Sequence, residues 1–261
     1  MAVYGSDDFG FLTIGQYNLT SVTTKLEDTI EKPAIESTPY GVTAPAYLPA
    51  ILTRYSLGST DVWYDDATDS ENALLVDMAS GQSVMIMSPH GNSAPATGVG
   101  LRCVATDGVE KTMYKRSGDI GDYRKANFEV AVSGIVDQRA MLVAQLVSRG
   151  VTGTTAATYN NWGADGAAGG RVYLVVTTVA WDSRTSLQIT LQDCNTSDGA
   201  YGDHTAFTAI IPATTPEGTG TSEMKVLAAD AIEQFTSVTW TWAGGAAGAE
   251  AATLAVVVAY D

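Results

Sequence analysis

Two histidines, two cysteines and a surplus of carboxylates are the reactive side chains this chain offers. His90 lies in Ser88-Pro89-His90-Gly91-Asn92, a loop composition, with no Cys or carboxylate at ligand spacing. It reads as a solvated loop histidine, not as a general base or metal ligand. His204 stands in a different part of the chain, so the two do not form a pair by proximity. Cys103 and Cys194 lack metal-ligand or redox spacing and read as reduced, half-buried thiols. There is no Gly-x-Ser-x-Gly elbow and no Gly-Lys-Thr phosphate loop, and Gly98-Val99-Gly100 lacks the third glycine of a dinucleotide fingerprint. Asp61, Asp65, Asp66 and Asp69 read as capping and solvated-turn residues at a helix start, with a divalent-cation site as the alternative. Asp193 to Gly199 has some likeness to a calcium loop, but its glycine falls one place late and no glutamate closes it. A hairpin turn at Asp198-Gly199 accounts for it better. The expectation is a non-enzyme with no catalytic, cofactor or metal residues.

The chain has 261 residues, of which 29 are acidic and 14 basic, for a formal charge of −15. Apolar residues make up 45%, enough for a real core, while charged residues are only 16% against roughly 25% in an ordinary domain. Scarce cations exclude the usual nucleic-acid binder, which must displace phosphate counterions, and disfavour anionic membranes. The longest apolar run, Leu254–Tyr260, is far short of the roughly 20 residues of a membrane helix. The first residues, MAVYGSDDFG, carry no basic and apolar leader pattern.

Composition divides the chain near residue 150. Residues 1–150 hold 18 acids and 11 bases, whereas 151–261 hold 11 acids and only three bases. The expected organisation is a domain over 1–150, a Gly/Ala/Thr linker over 151–170, and a smaller domain over 171–261.

β-branched and aromatic residues predict strands at Phe11–Val22, Leu57–Tyr64, Ser83–Met87, Gly100–Ala105, Val109–Lys115, Lys125–Ser133 and Met141–Val147. Asp107-Gly108 is the turn expected between two of them. Pro33, Pro39, Pro45 and Pro49 predict a long excursion over Thr24–Pro49 with no regular element. Its Tyr40, Tyr47 and Leu48, with Ile51 and Leu52 just beyond, are too apolar for a merely solvated loop and should dock on something. Thr68-Asp69-Ser70-Glu71 is a capping box, and Ala67, Leu74, Leu75 and Met78 follow at helical spacing, predicting one short helix. Further on, Val172–Val179, Leu187–Leu191, Ala206–Ile211, Val238–Trp242 and Leu254–Tyr260 read as strands. Val238, Trp240 and Trp242 face one way and Thr239 and Thr241 the other, and Leu254–Tyr260 reads as central. The fold class expected is mainly β.

The order of these features resembles the major tail tube proteins of long, flexible-tailed (siphovirus-type) bacteriophages. The residues that carry it are Thr24-Lys25-Leu26-Glu27-Asp28, Pro39-Tyr40-Gly41, the strand Leu57–Tyr64, Asp65-Asp66 and Ala73-Leu74-Leu75. Lys125-Ala126-Asn127-Phe128 through Ser133-Gly134, then Met141-Leu142, resemble the family's closing strands, so the likeness spans about residues 11–147. Residues 171–261 resemble the add-on, Ig-like β-sandwich domains that follow such tube domains. The resemblance implies a β-sandwich or barrel with one flanking helix, self-assembled into stacked, usually hexameric rings in the virion tail. Its partners would be further copies of itself, a tape measure protein, and tail terminator and tail-tip proteins. DNA would pass through the lumen without specific binding. Synthesis would be in the host bacterial cytoplasm. Tyr40, Tyr47, Leu48, Ile51 and Leu52 would then form the ring-stacking contact, and Glu129 would be a lumen-facing acid. The alternative is a head decoration or tail-tip adhesin that binds host-surface glycan, with Trp162 and Trp181 as an exposed sugar platform.

Overall fold

A computed structural model describes residues 10–21, 23–31, 34–36, 47–49, 54–63, 84–88, 101–117, 125–156, 158–159, 169–196, 199–227, 232–246 and 248–260. The fold is mainly β, and among these residues there is no helix. The helix expected over 68–78 lies outside them. The early strands are β1 (Phe11–Ile14), β2 (Tyr17–Asn18), β3 (Thr23–Glu31), β4 (Ala34–Glu36), β5 (Tyr47–Pro49) and β6 (Arg54–Trp63). Next come β7 (Met85–Ser88), β8 (Arg102–Thr106), β9 (Val109–Ser117), β10 (Lys125–Val132) and β11 (Val136–Arg149). The remainder are β12 (Gly153–Thr154), β13 (Thr158–Tyr159), β14 (Gly170–Ala180), β15 (Ser186–Cys194), β16 (Gly202–Ala206), β17 (Thr221–Leu227), β18 (Phe235–Ala243) and β19 (Ala251–Tyr260).

An eight-stranded antiparallel sheet, in the order β17-β14-β19-β11-β8-β7-β1-β2, is the spine. It takes strands from both sides of residue 150. The last strand, β19, is inserted between β11 and β14, with Val257 opposite both Leu142 and Tyr173. That position explains its uninterrupted apolar run, because both of its faces are buried. Successive side chains alternate across the sheet. On one face Leu12, Ile14, Met85 and Met87 pack against Tyr55, Leu57, Phe128 and Val130 of a four-stranded sheet ordered β3-β6-β10-β9. Farther along that face, Leu174, Val176, Leu254 and Val256 pack against Leu187, Ile189, Leu191, Val238, Trp240 and Trp242. These belong to a sheet built on β15 and β18, flanked by β16 and β12, with β13 also on β18. Thus Gly153–Thr154 and Thr158–Tyr159, inside the Gly/Ala/Thr stretch, run beside β18. The opposite face of the eight-stranded sheet buries Phe11, Ile86, Cys103, Ala105, Leu142, Tyr173, Val175 and Ala255.

Three local expectations need correction. Thr23–Glu31 is a nine-residue strand against β6, although Thr24–Pro49 was expected to hold no regular element. Every proline of that stretch lies beyond Glu31, so none breaks the ladder, whose register shifts only around Lys25, and Ala34–Glu36 with Tyr47–Pro49 forms a small two-stranded sheet. Asp107-Gly108 is a corner and not a hairpin: β8 stays in the eight-stranded sheet while β9 belongs to the four-stranded one. There Gly108 has φ +63°, Asp107 Oδ1 accepts the Ile135 N–H at 2.6 Å, and Ser133 donates to the Gly108 carbonyl. The return corner at Ser133–Ile135 therefore lies against the outgoing one, and a side chain on Gly134 would collide with Asp107. Finally, β16 ends at Ala206, after which the Phe207 N–H donates to the Ile189 carbonyl and Ile210 bridges to Leu187.

Candidate functional site

Of the residues expected to dock between rings, Tyr47 and Leu48 lie on β5, opposite Glu36 and Ile35. Tyr40, Ile51 and Leu52 fall outside the described residues, as do His90, Asp65, Asp66 and Asp69. Asp61 is on β6, opposite Asn127 and Lys25. Glu129 is half-buried on β10 opposite Met113, beside a bulge in that ladder. Among the described residues no group of three or more His, Cys, Asp or Glu side chains could hold a metal ion.

The four-stranded sheet has two long margins of opposite charge. β3 carries Glu27, Asp28 and Glu31 against Lys25, whereas β9 carries Lys111, Lys115 and Arg116 against Glu110. Each margin is nine residues long and has one strand neighbour among the described residues. At about 3.3 Å per residue this is an edge of about 30 Å.

In residues 151–261 the cations are spent internally. The three bases of residues 151–261 are Arg171, Arg184 and Lys225, and each meets a carboxylate. Arg184 donates to Glu250 Oε1 at 2.6 Å and to the Gly244 carbonyl, tying the β14–β15 turn to the β18–β19 turn. The Gly248 N–H and then Arg184 hold the Glu250 carboxyl below its usual range. Lys225 lies 3.4 Å from Glu223. Arg171 pairs with Asp137, described below. Arg149, by contrast, stacks on Trp240 with its guanidinium carbon 4.9 Å from the ring centre, and burial lowers its pKa.

His204 Nδ1 sits 3.1 Å from Asp193 Oδ2, across the β15–β16 hairpin. Burial works against the Asp193 charge, but the His204 hydrogen bond and the Glu233 N–H outweigh it, leaving the carboxyl below its ordinary value. Cys103 and Cys194 are both free and buried. Burial pushes the Cys103 thiol up to about 12, so it is not a nucleophile at neutral pH.

Trp181 is not the exposed sugar-platform residue expected of it, while Trp162, the other half of that expectation, lies outside the described residues. Trp181 is buried, packs edge-on against Trp242 with centroids 5.9 Å apart, and donates its indole N–H to the Thr215 carbonyl. Trp240 and Trp242 are core residues, as their alternation indicated, and their indole N–H groups donate to the Val151 and Gly150 carbonyls.

Sequence reasoning missed one feature altogether. The eight-stranded sheet is curled, and at a seam between its two end regions Gln16, in the β1–β2 turn, accepts a hydrogen bond from the Gly220 N–H just before β17 at 3.3 Å. A cavity of about 260 Å³ opens at this seam. Gln16, Tyr17 and Asn18 border it from one end of the sheet. Thr177, Thr178 and Thr253 border it from the other, where β14 bulges against β19, and Thr219 and Gly220 complete it. A Cβ at Gly220 would strike the Val176 and Thr177 carbonyl oxygens, so only glycine lets the backbones approach this closely. The threonine-rich composition was the only local signal, and it reads equally well as ordinary strand.

No family model and no curated protein matches the chain. The solved structures it is similar to include the tail of an empty gene transfer agent particle, at 12% identity and TM-score 0.39, covering 52% of this chain and 98% of that one. The virion of a native gene transfer agent matches at 11% and 0.38, covering 51% and 97%. The SPP1 Dit protein, described as a paradigm of the hub adsorption apparatus in phages infecting Gram-positive bacteria, matches at 12% and 0.31, covering 96% and 98%. At TM-scores this low, the likenesses carry no argument about what this chain does.

Proposed function

We propose that the chain is a structural subunit of a phage tail, and within that class a tube protein that self-associates into stacked rings and has no catalysis of its own. The observation that carries this is the opposite charge of β3 and β9 at the two margins of one sheet. Because the sheet has four antiparallel strands, β3 and β9 run in opposite directions. A copy rotated about a common axis sets its β3 antiparallel to the first copy's β9, acid against base, and the sheet continues from subunit to subunit. Such a heterologous contact closes into a ring when the rotation divides the circle.

The charge balance supports the same function. With the cations of residues 151–261 tied to carboxylates, little remains there to grip a phosphate backbone in transit. Tyr40, Tyr47, Leu48, Ile51 and Leu52 are proposed as the contact between stacked rings, Glu129 as lumen-facing, and residues 171–261 as outward-facing. Tape measure, terminator and tail-tip proteins are the partners this role requires.

Negative-stain microscopy and analytical ultracentrifugation of the purified chain test the proposal. Rings or tubes are expected. Reversing Lys111, Lys115 and Arg116 to Glu should leave monomers, and reversing Glu27, Asp28 and Glu31 to Lys as well should restore assembly. Protein that stays monomeric at every concentration and salt, with neither rings nor tubes, overturns it.

A further inference from the structure

We infer that the seam cavity between the two ends of the eight-stranded sheet binds one neutral sugar ring. This goes beyond the tail-tube role and does not depend on it. The cavity, about 260 Å³, falls just under the roughly 300 Å³ at which drug-sized pockets begin, so it suits a single ring. Its chemistry is unusual for so acidic a chain, because among the described residues no carboxylate, amine, guanidinium or imidazole borders it. What borders it instead are carboxamides, from Gln16 and Asn18, and hydroxyls, from Thr177, Thr178, Thr219 and Thr253.

Each of those groups is of a type that both donates and accepts without carrying charge, which matches a ring of hydroxyls. A divalent cation would call for carboxylates, and an anion for a cation or a helix end; the described residues that border the cavity supply neither. The threonine methyls supply the small apolar patches that a sugar's C–H faces need. The site is held by the fold and not by a mobile loop alone. Gln16 and Gly220 lock the two ends together, and Thr177 Oγ1 donates to the Thr253 carbonyl at 3.4 Å across the bulge. Recognition there makes no use of Trp181, which is buried elsewhere.

The test is saturation-transfer NMR on the full chain with glucose, galactose, mannose, rhamnose, N-acetylglucosamine and N-acetylgalactosamine, followed by titration of whichever responds. At least one should bind with millimolar affinity, and glucuronate should bind more weakly than glucose because it brings a negative charge to a negative protein. Thr178→Val, on an exposed position of β14, should weaken binding about tenfold through one lost hydrogen bond. Thr178→Lys should abolish it by filling the mouth. Asn18→Ala is the less clean variant, since Asn18 Oδ1 also accepts from the Thr20 N–H at 3.0 Å. No response from any of the six sugars overturns the inference. So does binding that both Thr178 variants leave unchanged while circular dichroism shows them folded. Ring formation is read separately by sedimentation, so failure of one proposal is distinguishable from failure of the other.

Discussion

Arg171 holds the Asp137 carboxylate through two hydrogen bonds, Nε to Oδ2 and Nη2 to Oδ1, each 2.8 Å. The two residues stand on β14 and β11, so the pair reaches over β19, where Ala259 lies opposite Arg171 and leaves room. Tyr173 donates to the same carboxylate at 2.6 Å. Burial and then the hydrogen bond to Asp137 raise the tyrosine pKa, so its proton stays in place. The pair is itself almost buried, with 11% and 8% of the two side chains exposed, and it joins residues from both sides of position 150.

Breaking this pair from one side should be costly. Arg171→Met leaves a buried carboxylate with the tyrosine alone, and the expected loss is about 3–5 kcal/mol. Arg171→Met combined with Asp137→Leu removes both charges and should recover most of it. Urea unfolding monitored by tryptophan fluorescence measures both. Equal losses in the single and double variants would show that the charges themselves are not the issue.

Acid should weaken the strand ends at Asp193 and Glu250 first. Asp193 and Glu250 both have folded pKa values below their ordinary ones, so each contributes stability that is fully present above the usual carboxylate range of about 4. That contribution is lost as the pH falls through the lower, folded values. Thermal midpoints taken from pH 7 down to pH 2.5 should therefore drop below about pH 4. Asp193→Asn and Glu250→Gln should each flatten that drop, starting from a lower midpoint at pH 7.

The Cys103 thiol should be silent in the folded protein. With Cys194→Ser to isolate it, no reaction with a chromogenic disulfide reagent is expected at pH 8, several units below the folded pKa of about 12. In denaturing urea one thiol per chain should react at once. Rapid labelling under native conditions would contradict the burial of Cys103.

Truncation tests the boundary near residue 150. Residues 1–150 alone lose β19, the neighbour of β11, and thereby uncover Leu142 and Ala144, which are fully buried in the whole chain. Aggregation or loss of cooperative unfolding is expected. A soluble fragment with one sharp unfolding transition would establish 1–150 as an independent unit.

How much of this was legible beforehand follows from the range of the forces involved. The alternation of Val238, Trp240 and Trp242 with Thr239 and Thr241 identifies a half-buried strand, because side chains on an extended backbone alternate whatever lies alongside. The unbroken apolar run to Tyr260 marks a strand buried on both faces. The scarcity of lysine and arginine, and the absence of any local catalytic or phosphate-binding motif, are properties of composition and spacing. The chain by itself therefore determined a mainly β, acidic protein with strands at most of the observed positions. Which strand pairs with which is another matter, since it depends on neighbours chosen across the whole length. The same Asp107-Gly108 chemistry serves a hairpin or a corner, and only the placement of β9 beside β10 makes it a corner. Thr23–Glu31 becomes a strand because β6 offers it a ladder. Trp181 becomes core because Trp242 and Thr215 close over it. Gln16 and Gly220 meet, and create the seam cavity, only because eight strands with the common twist curl the sheet. Side-chain period is a local consequence of the backbone and is readable in order along the chain. Strand order, burial and the seam are sums over distant contacts, and the tertiary structure alone decided them.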